Sequence, residues 1–374
     1  MFDFRLLRRM DFRVVPVIMA LMLISLVTIS SHTPWAVDEG FFTHRVARQL
    51  QHFVIGAIVF VLCAALDYSK IREITWPAYA LMLIALAGLF FTSATQSVHR
   101  WYNIPFIHFA AQPSEFAKLV VVFALSWTLE RCGSQAGSIR TCLFALLIVF
   151  LPFLLILKQP DLGTALILWP IALAIFYFGG VNRVLIRFMT FSMGCGLLLV
   201  LSIFLGLLSH ETLRPLATNF VKEYQYERLN PTTHHGRAAA ISIALGGVRG
   251  SGWRQAEFSG QGWLPEAATD SIFPSFGEEF GLLGMLAVLA LYYAMVYFGF
   301  QATAVAKDHF GRLLSAGITV YLAMHVIINI AMMCGLLPIT GVPLPLVSYG
   351  GSSALMTMAA LGIVQSVHCR RFMF

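Results

Sequence analysis

Residues 14–31 read VVPVIMALMLISLVTISS, an uncharged apolar run entered from a segment carrying Arg5, Arg8, Arg9 and Arg13. As a helix rising 1.5 Å per residue, such a run covers nearly all of the ~30 Å hydrocarbon core of a bilayer. Comparable runs follow near 51–67, 76–93, 113–130, 141–157, 162–180, 186–208, 278–303, 312–335 and 350–368. Pro152 and Pro170 fall inside two of them, where neighbouring helices can satisfy the freed backbone groups. The pattern predicts an all-α, polytopic integral membrane protein of about ten transmembrane helices, read as one domain over 1–374. Composition agrees: 58% of the chain is hydrophobic and 11% charged, against about 25% charged in soluble domains. So few charges cannot coat a soluble protein of this size. The first run has no small-residue cleavage site and is expected to stay as a signal-anchor.

The net charge of +7 does not form the basic patch that nucleic-acid binding requires. The cations stand at the ends of apolar runs: Lys70 and Arg72, Arg131 and Arg140, Arg183 and Arg187, Lys307 and Arg312, Arg370 and Arg371. By the positive-inside rule these segments and both termini are cytoplasmic, and no nucleic-acid partner is expected. Segments 32–50, 94–112, 209–277 and 336–349 then face outward. The long one, between helices 7 and 8, exceeds a plain connector and is expected to fold back on the membrane surface. The six cysteines show no metal-like spacing, and disulfides are not expected in the outer loops.

Four outward patches carry groups with chemistry. Gln112-Pro113-Ser114-Glu115-Phe116-Ala117-Lys118 opens the fourth helix, and Glu115 and Lys118 share a helix face at i,i+3. A structural ion pair explains them as well as a functional one, because intramembrane charges are costly. Lys158-Gln159-Pro160-Asp161-Leu162-Gly163-Thr164 forms a tight turn in which Pro and Gly suffice for the geometry, so Lys158 and Asp161 are surplus to it and Lys158 is available as a point charge for phosphate. Glu266, Asp270, Glu278 and Glu279 gather where the long outer segment re-enters the membrane. Like-charge repulsion there would raise one carboxyl's pKa or recruit a cation, and either suits general-base work. Lastly, GLLPITGVPLPLVSYGGSS (335–353) has three prolines at membrane depth, so it is irregular backbone that must be buried in protein or line a cavity. Arg48, Arg100 and Trp101 are outer-side residues equally explained by interfacial anchoring. His234-His235 reads as a polar loop pair, since no third metal ligand has a helpful spacing.

Taken in order, QPSEFAKL, KQPDLGTA, LPEAATDSIF…GEEFG and GLLPITGVPLPLVSYGGSS resemble the SEDS family (shape, elongation, division and sporulation) of cell-wall glycosyltransferases. Thr340 after Pro338-Ile339 is more like its elongation branch, RodA, though some division and sporulation members share that threonine. The resemblance implies a ten-helix enzyme of the bacterial cytoplasmic membrane that polymerises lipid II and releases undecaprenyl pyrophosphate. It implies Asp270 as the catalytic residue, acting either as base toward the attacking sugar hydroxyl or as ligand of a divalent cation, Mg or Mn. It further implies Arg48, Lys118, Lys158 and Ser348 around the substrate pyrophosphate, with Glu115, Asp161, Glu266 and Glu279 in support. A class B penicillin-binding protein is the implied partner. The chain departs from the family pattern at Ser271, where phenylalanine is frequent, and at Gly250-Ser251-Gly252, where Gly-Lys-Gly is common. The usual tyrosine-glutamine is not recognisable around His234-His235.

Two rival functions suit the helix count: a lipid flippase or transporter, and a non-catalytic scaffold for a transpeptidase. A transporter would place its ionisable residues at mid-membrane, and a scaffold would not require Asp270.

Overall fold

The computed structural model describes residues 3–31, 40–91, 100–104, 109–217, 226–231 and 233–372. Parts of the expected outer segments, at 32–39, 94–99, 105–108, 218–225 and 232, lie outside the described residues. Within the described residues, each of the ten apolar runs is built on a helix. They are α1 (Val14–Ser31), α2 (His44–Ala65), α3 (Ile71–Gly88), α4 (Pro113–Cys132), α5 (Ile139–Lys158), α6 (Leu162–Phe178) and α7 (Arg183–Phe204). The long outer segment contributes α8 (His210–Ala217) and α9 (His234–Gly246). Then come α10 (Ile272–Ala304), α11 (His309–Met333) and α12 (Gly351–Cys369).

Among the described residues, eight helices are long and apolar enough to cross a membrane: α1, α2, α3 with its flanking turns, α5, α7, α10, α11 and α12. The other two of the ten fall short for separate reasons. Helix α6 is apolar but has 17 residues, and α4 carries Glu115, Lys118, Glu130 and Arg131 in its 20. Helix α2 starts seven residues before its apolar run because the Thr43 side chain accepts from Val46 N at 3.3 Å, capping a polar first turn that hydropathy overlooks. Asp161 and Asp308 cap α6 and α11 in the same way. The sequence gives no sign of one small element. Strands β1 (Tyr102–Ile104) and β2 (Phe109–Ala111) pair antiparallel, Tyr102 opposite Ala111, just before α4.

Helices α4, α6, α11 and α12 form the centre. Nearly every residue of α4 is buried, and it packs on α3, α5, α6 and α11. Helix α2 lies along α12, and α1 along α10. By contrast α7 buries only Met189 and Ile203 and stands at the periphery. One end of the bundle gathers the basic segments: Arg72 pairs with Glu130 at 2.7 Å and with Asp308, Tyr68 donates to Asp308 at 2.8 Å, and Arg371 reaches Arg9 O at 3.2 Å. The outer-segment helices sit at the opposite end, where α9 packs against the start of α10.

Helix α10 is broken at Gly281, whose φ of 65° and ψ of −167° are non-helical. The freed backbone bonds the loop after α9. Ser251 N and Gly252 N donate to Glu278 O and Glu279 O at 2.9 Å each, while Leu282 N donates to Gly247 O at 2.9 Å. The two backbone segments approach so closely that a Cβ on Gly250 would lie 2.1 Å from Glu279 O. Gly250-Ser251-Gly252 is therefore a docking strip, in which Gly250 follows from backbone-to-backbone contact and Gly252 from its φ of 104°. Replacing Gly281 by Ala places a side chain in a glycine-only conformation, and its Cβ would lie 2.3 Å from Gly250 N. The expected outcome is a loss of about 1–3 kcal/mol of stability from the backbone strain alone, measured as a lower thermal unfolding midpoint in detergent.

Candidate active site

Four successive residues at the mouth of α10 are each held by a different external group. Tyr349 N donates to Ala268 O at 2.9 Å, and Ser348 Oγ donates to Thr269 O at 2.7 Å. Asn329 Nδ2 donates to Asp270 O at 3.0 Å, and His235 Nε2 meets Ser271 Oγ at 2.6 Å. The loop around Asp270 is thus fixed from α9, α11 and the Pro-rich stretch, and Asp270 itself is partly buried.

The Pro-rich stretch keeps its irregular path because its carbonyls are satisfied one by one. Val342 O accepts from Asn329 Nδ2 at 2.7 Å, and Pro343 O meets His325 Nδ1 at 3.2 Å. Pro345 O accepts from Tyr292 at 2.7 Å, and Ser348 O from Gln49 Nε2 at 3.3 Å. Helices α2, α10 and α11 therefore replace the ladder that this backbone lacks. Gly341 lies under the carboxylate, where a Cβ would be 3.2 Å from Asp270 Oδ2. Gly163, in the first turn of α6, packs against Thr340 and Val342 of the same stretch. The Lys158 turn thereby borders the site.

In that turn Asp161 is buried and accepts from Gln112 Nε2 at 3.0 Å, Ser114 Oγ at 2.9 Å and Thr164 N at 3.3 Å. Its oxygens hold α4 to α6, which is a supporting place. Lys158 is exposed and makes no ion pair among the described residues. Arg100 donates from Nε to Gln159 O at 3.2 Å and also to Pro160 O, so a cation sits on the turn. Arg48 is exposed on α2, next to Gln49, which accepts from Gly350 N at 3.3 Å.

Two of the expected pyrophosphate contacts, Lys118 and Ser348, are engaged inside the protein. Lys118 is 0% exposed and spends its ammonium on Glu115 at 2.6 Å and His325 Nε2 at 2.7 Å. Because Nδ1 of His325 faces the Pro343 carbonyl, that nitrogen carries the proton and Nε2 accepts from Lys118. Lys118 and Glu115 are thus an internal ion pair that props the Pro-rich stretch through His325. Ser348 is likewise committed: its hydroxyl accepts from Leu344 N at 2.8 Å while donating to Thr269 O. It positions the Asp270 loop and offers no free hydrogen to a phosphate.

The expected gathering of four carboxylates divides in two. Glu278 is buried and accepts from Phe258 N at 2.9 Å, Ser259 N at 3.0 Å and Ser242 Oγ at 3.0 Å. Glu279 accepts from Arg254 N at 3.2 Å. Both hold the outer segment onto the α10 break. Glu266 alone remains with Asp270, exposed and accepting from Thr269 Oγ1 at 2.8 Å. Burial pushes the Asp270 carboxyl up to about 6; the charges of Glu266 and Asp161 add to the rise, and Arg100 opposes it.

Among the described residues no three His, Cys, Asp or Glu side chains converge as a metal cage. Asp270 offers one partly buried carboxylate, with Glu266 near enough for its charge to be felt there. That donor set fits magnesium, which keeps its waters and is commonly held by one or two carboxylates together with substrate phosphates.

Asn329, His325, Gln49 and His235 are missing from the sequence-derived site. A signal existed for two of them. His325 and Asn329 are polar residues one turn apart inside an apolar run, and intramembrane polar groups are functional by default. Gln49 and His235 act across 299 and 36 residues of chain, and no local pattern exposes such pairings.

A bundle of long apolar helices with a pinned carboxylate at one end defines a polytopic membrane protein with a candidate site at that end of the bundle. The model of the FtsW/RodA/SpoVE cell cycle protein family matches residues 9–372, and the chain belongs to that family. It is 32% identical over 371 residues to the peptidoglycan glycosyltransferase MrdB of Escherichia coli strain K12, covering 95% of this chain and 94% of that protein. MrdB of Helicobacter pylori is 31% identical over 344 residues, 87% of this chain and 84% of the relative. Among solved structures, a chain from a peptidoglycan synthase complex coordinating polymerization and crosslinking aligns with a TM-score of 0.77 at 25% identity, covering 98% of this chain and 99% of its own. RodA of Thermus thermophilus shares the fold, with a TM-score of 0.71 at 24% identity over 98% of both chains.

Carbodiimides react with protonated carboxyls, so labelling of Asp270 should fall as pH rises, with a midpoint near the carboxyl's value of about 6. Glu266→Gln removes a raising charge and should move that midpoint to lower pH, whereas Arg100→Gln should move it higher. Mass spectrometry of the peptide containing Asp270 reads both shifts.

Proposed function

We propose that this chain works as its relatives are named: it is a peptidoglycan glycosyltransferase, polymerising lipid II at the outer face of the bacterial cytoplasmic membrane. The observation that carries the reading is the partly buried Asp270 on a loop held at four successive residues, bordered by the cation-bearing Lys158 turn. In the reaction a sugar hydroxyl of one lipid-linked unit attacks the anomeric carbon of another. The new glycosidic bond forms as the bond to the undecaprenyl pyrophosphate breaks, and the hydroxyl proton must be taken up.

In this reading Asp270 takes that proton. Its raised carboxyl lies nearer the working pH than an ordinary aspartate, which makes it a stronger base once ionised. Lys158, Arg100 and Arg48 supply positive charge at the same end, where leaving-group oxygens gain negative charge. In the alternative role, Asp270 would instead hold a divalent cation, Mg or Mn, beside the pyrophosphate, and that cation would neutralise the same charge. Glu115, Lys118, His325 and Asp161 keep the floor of the site in place. The basic end of the bundle, with both termini, faces the cytoplasm in this reading. The family match and Thr340 support a role in elongation and cell shape, with a class B penicillin-binding protein as partner in the membrane.

Purified protein with its transpeptidase partner, lipid II and magnesium provides the test. Wild type should make polymer, and Asp270→Asn should lose it by on the order of 10²-fold or more, the usual worth of an acid–base group. Wild-type rate should fall below about pH 6, as Asp270 becomes protonated. Normal polymerisation by Asp270→Asn would refute the catalytic assignment. Lipid translocation without polymer would favour a flippase, and polymerisation by the partner alone a scaffold.

A further inference from the structure

Ser271 occupies the N-cap of α10, yet its side chain caps no N–H of that helix. Serine at this place ordinarily spends its oxygen on the N–H of the second or third helical residue, a bond worth ~1 kcal/mol. Here the hydroxyl is wholly buried and pairs with His235 Nε2 at 2.6 Å instead. A local cap has been exchanged for a contact with an element 36 residues away in the chain.

That element is seated firmly. Ser242 Oγ lies 3.1 Å from Pro274 O and 3.0 Å from Glu278 Oε2, tying the middle of α9 to α10. His235 and Ser242 are seven residues apart, two turns along one helical face, with Ala238 and Ala239 buried on that same face. The face has no bulky side chain, so α9 lies close against the start of α10. His235 ends this row beside the residue that follows Asp270. The other holds on the loop come from Asn329, Ser348 and Tyr349, in α11 and the Pro-rich stretch. His235 is the hold supplied by the long outer segment, and removing it leaves Ser271 without a side-chain partner.

We infer that His235 is a positioning residue for the Asp270 reaction, with Ser271 as the group through which it acts. The inference rests on the proposed glycosyltransferase reading and deepens it. His235 does not exchange the proton in this account. It keeps the carboxylate aimed, so its loss lowers the rate of the chemical step more than substrate binding.

The full chain with its transpeptidase partner, assayed on lipid II, tests the pair through kcat and KM. His235→Ala and Ser271→Ala should each lower kcat on the order of ten-fold, within the ~10²-fold that a 1 Å misplacement can cost. KM should change less than about two-fold, and the melting midpoint of Ser271→Ala in detergent should stay near wild type. The double variant should be no slower than the slower single, because both changes break one contact. His235→Gln, whose amide nitrogen reaches a similar position to Nε2, should recover most of the rate. Wild-type kcat in His235→Ala, or a double loss equal to the product of the single losses, would overturn the pair. Asp270→Asn in the same assay separates this from the function itself. A dead Asp270→Asn beside a fully active His235→Ala refutes only the pair, whereas a fully active Asp270→Asn refutes the reading beneath it.

Discussion

The site depends on one constraint: a carboxylate must be held still on a loop that belongs to no helix or sheet. Backbone without secondary structure costs about 1–2 kcal/mol per residue to order, and at the membrane boundary its polar groups need partners other than lipid. The chain answers residue by residue over 268–271, taking partners from α9, α11 and the Pro-rich stretch. Those partners are themselves held. Ser348 is fixed by Leu344 N and by Gln49 on its carbonyl, and Asn329 also spans to Val342 O. Most of the surrounding helices reach Asp270 through one such link.

The buried ion pair follows from the same need. Taking Lys118 and Glu115 out of water costs several kcal/mol per ion, and their attraction repays this only in good geometry with further hydrogen bonds. The 2.6 Å contact and the His325 acceptor supply that geometry. Through Nδ1, His325 passes the support on to the Pro343 carbonyl. Two charges that read as candidate substrate contacts are therefore part of the floor on which Gly341 and the Asp270 carboxylate rest.

Hydropathy made the architecture legible, because a bilayer demands unbroken apolar length and a helix is the cheapest way to provide it. The ten runs became ten helices, and Asp270 stood out as an acid among apolar neighbours. Periodicity could not show the division of labour among polar residues. Glu278 and Glu279 look like part of one acidic cluster with Asp270, but the break at Gly281 turns them toward the loop at 251–259. Ser348 looks like a free hydroxyl beside a glycine turn, yet a carbonyl 79 residues upstream claims it. His235 looks like a loop residue because Ser271 lies on another element. Each of these outcomes is a tertiary pairing, and a sequence read without a fold contains the partners but not their meeting.

Hydrogen exchange of the peptide spanning 264–272, set against polymerisation rate in Ser348→Ala, tests the central claim most directly. Losing the Ser348 bond to Thr269 should raise exchange in that peptide and lower kcat together, with Asp270 itself untouched. Faster exchange with an unchanged kcat would contradict the account, because the carboxylate would then work without the hold that the structure gives it.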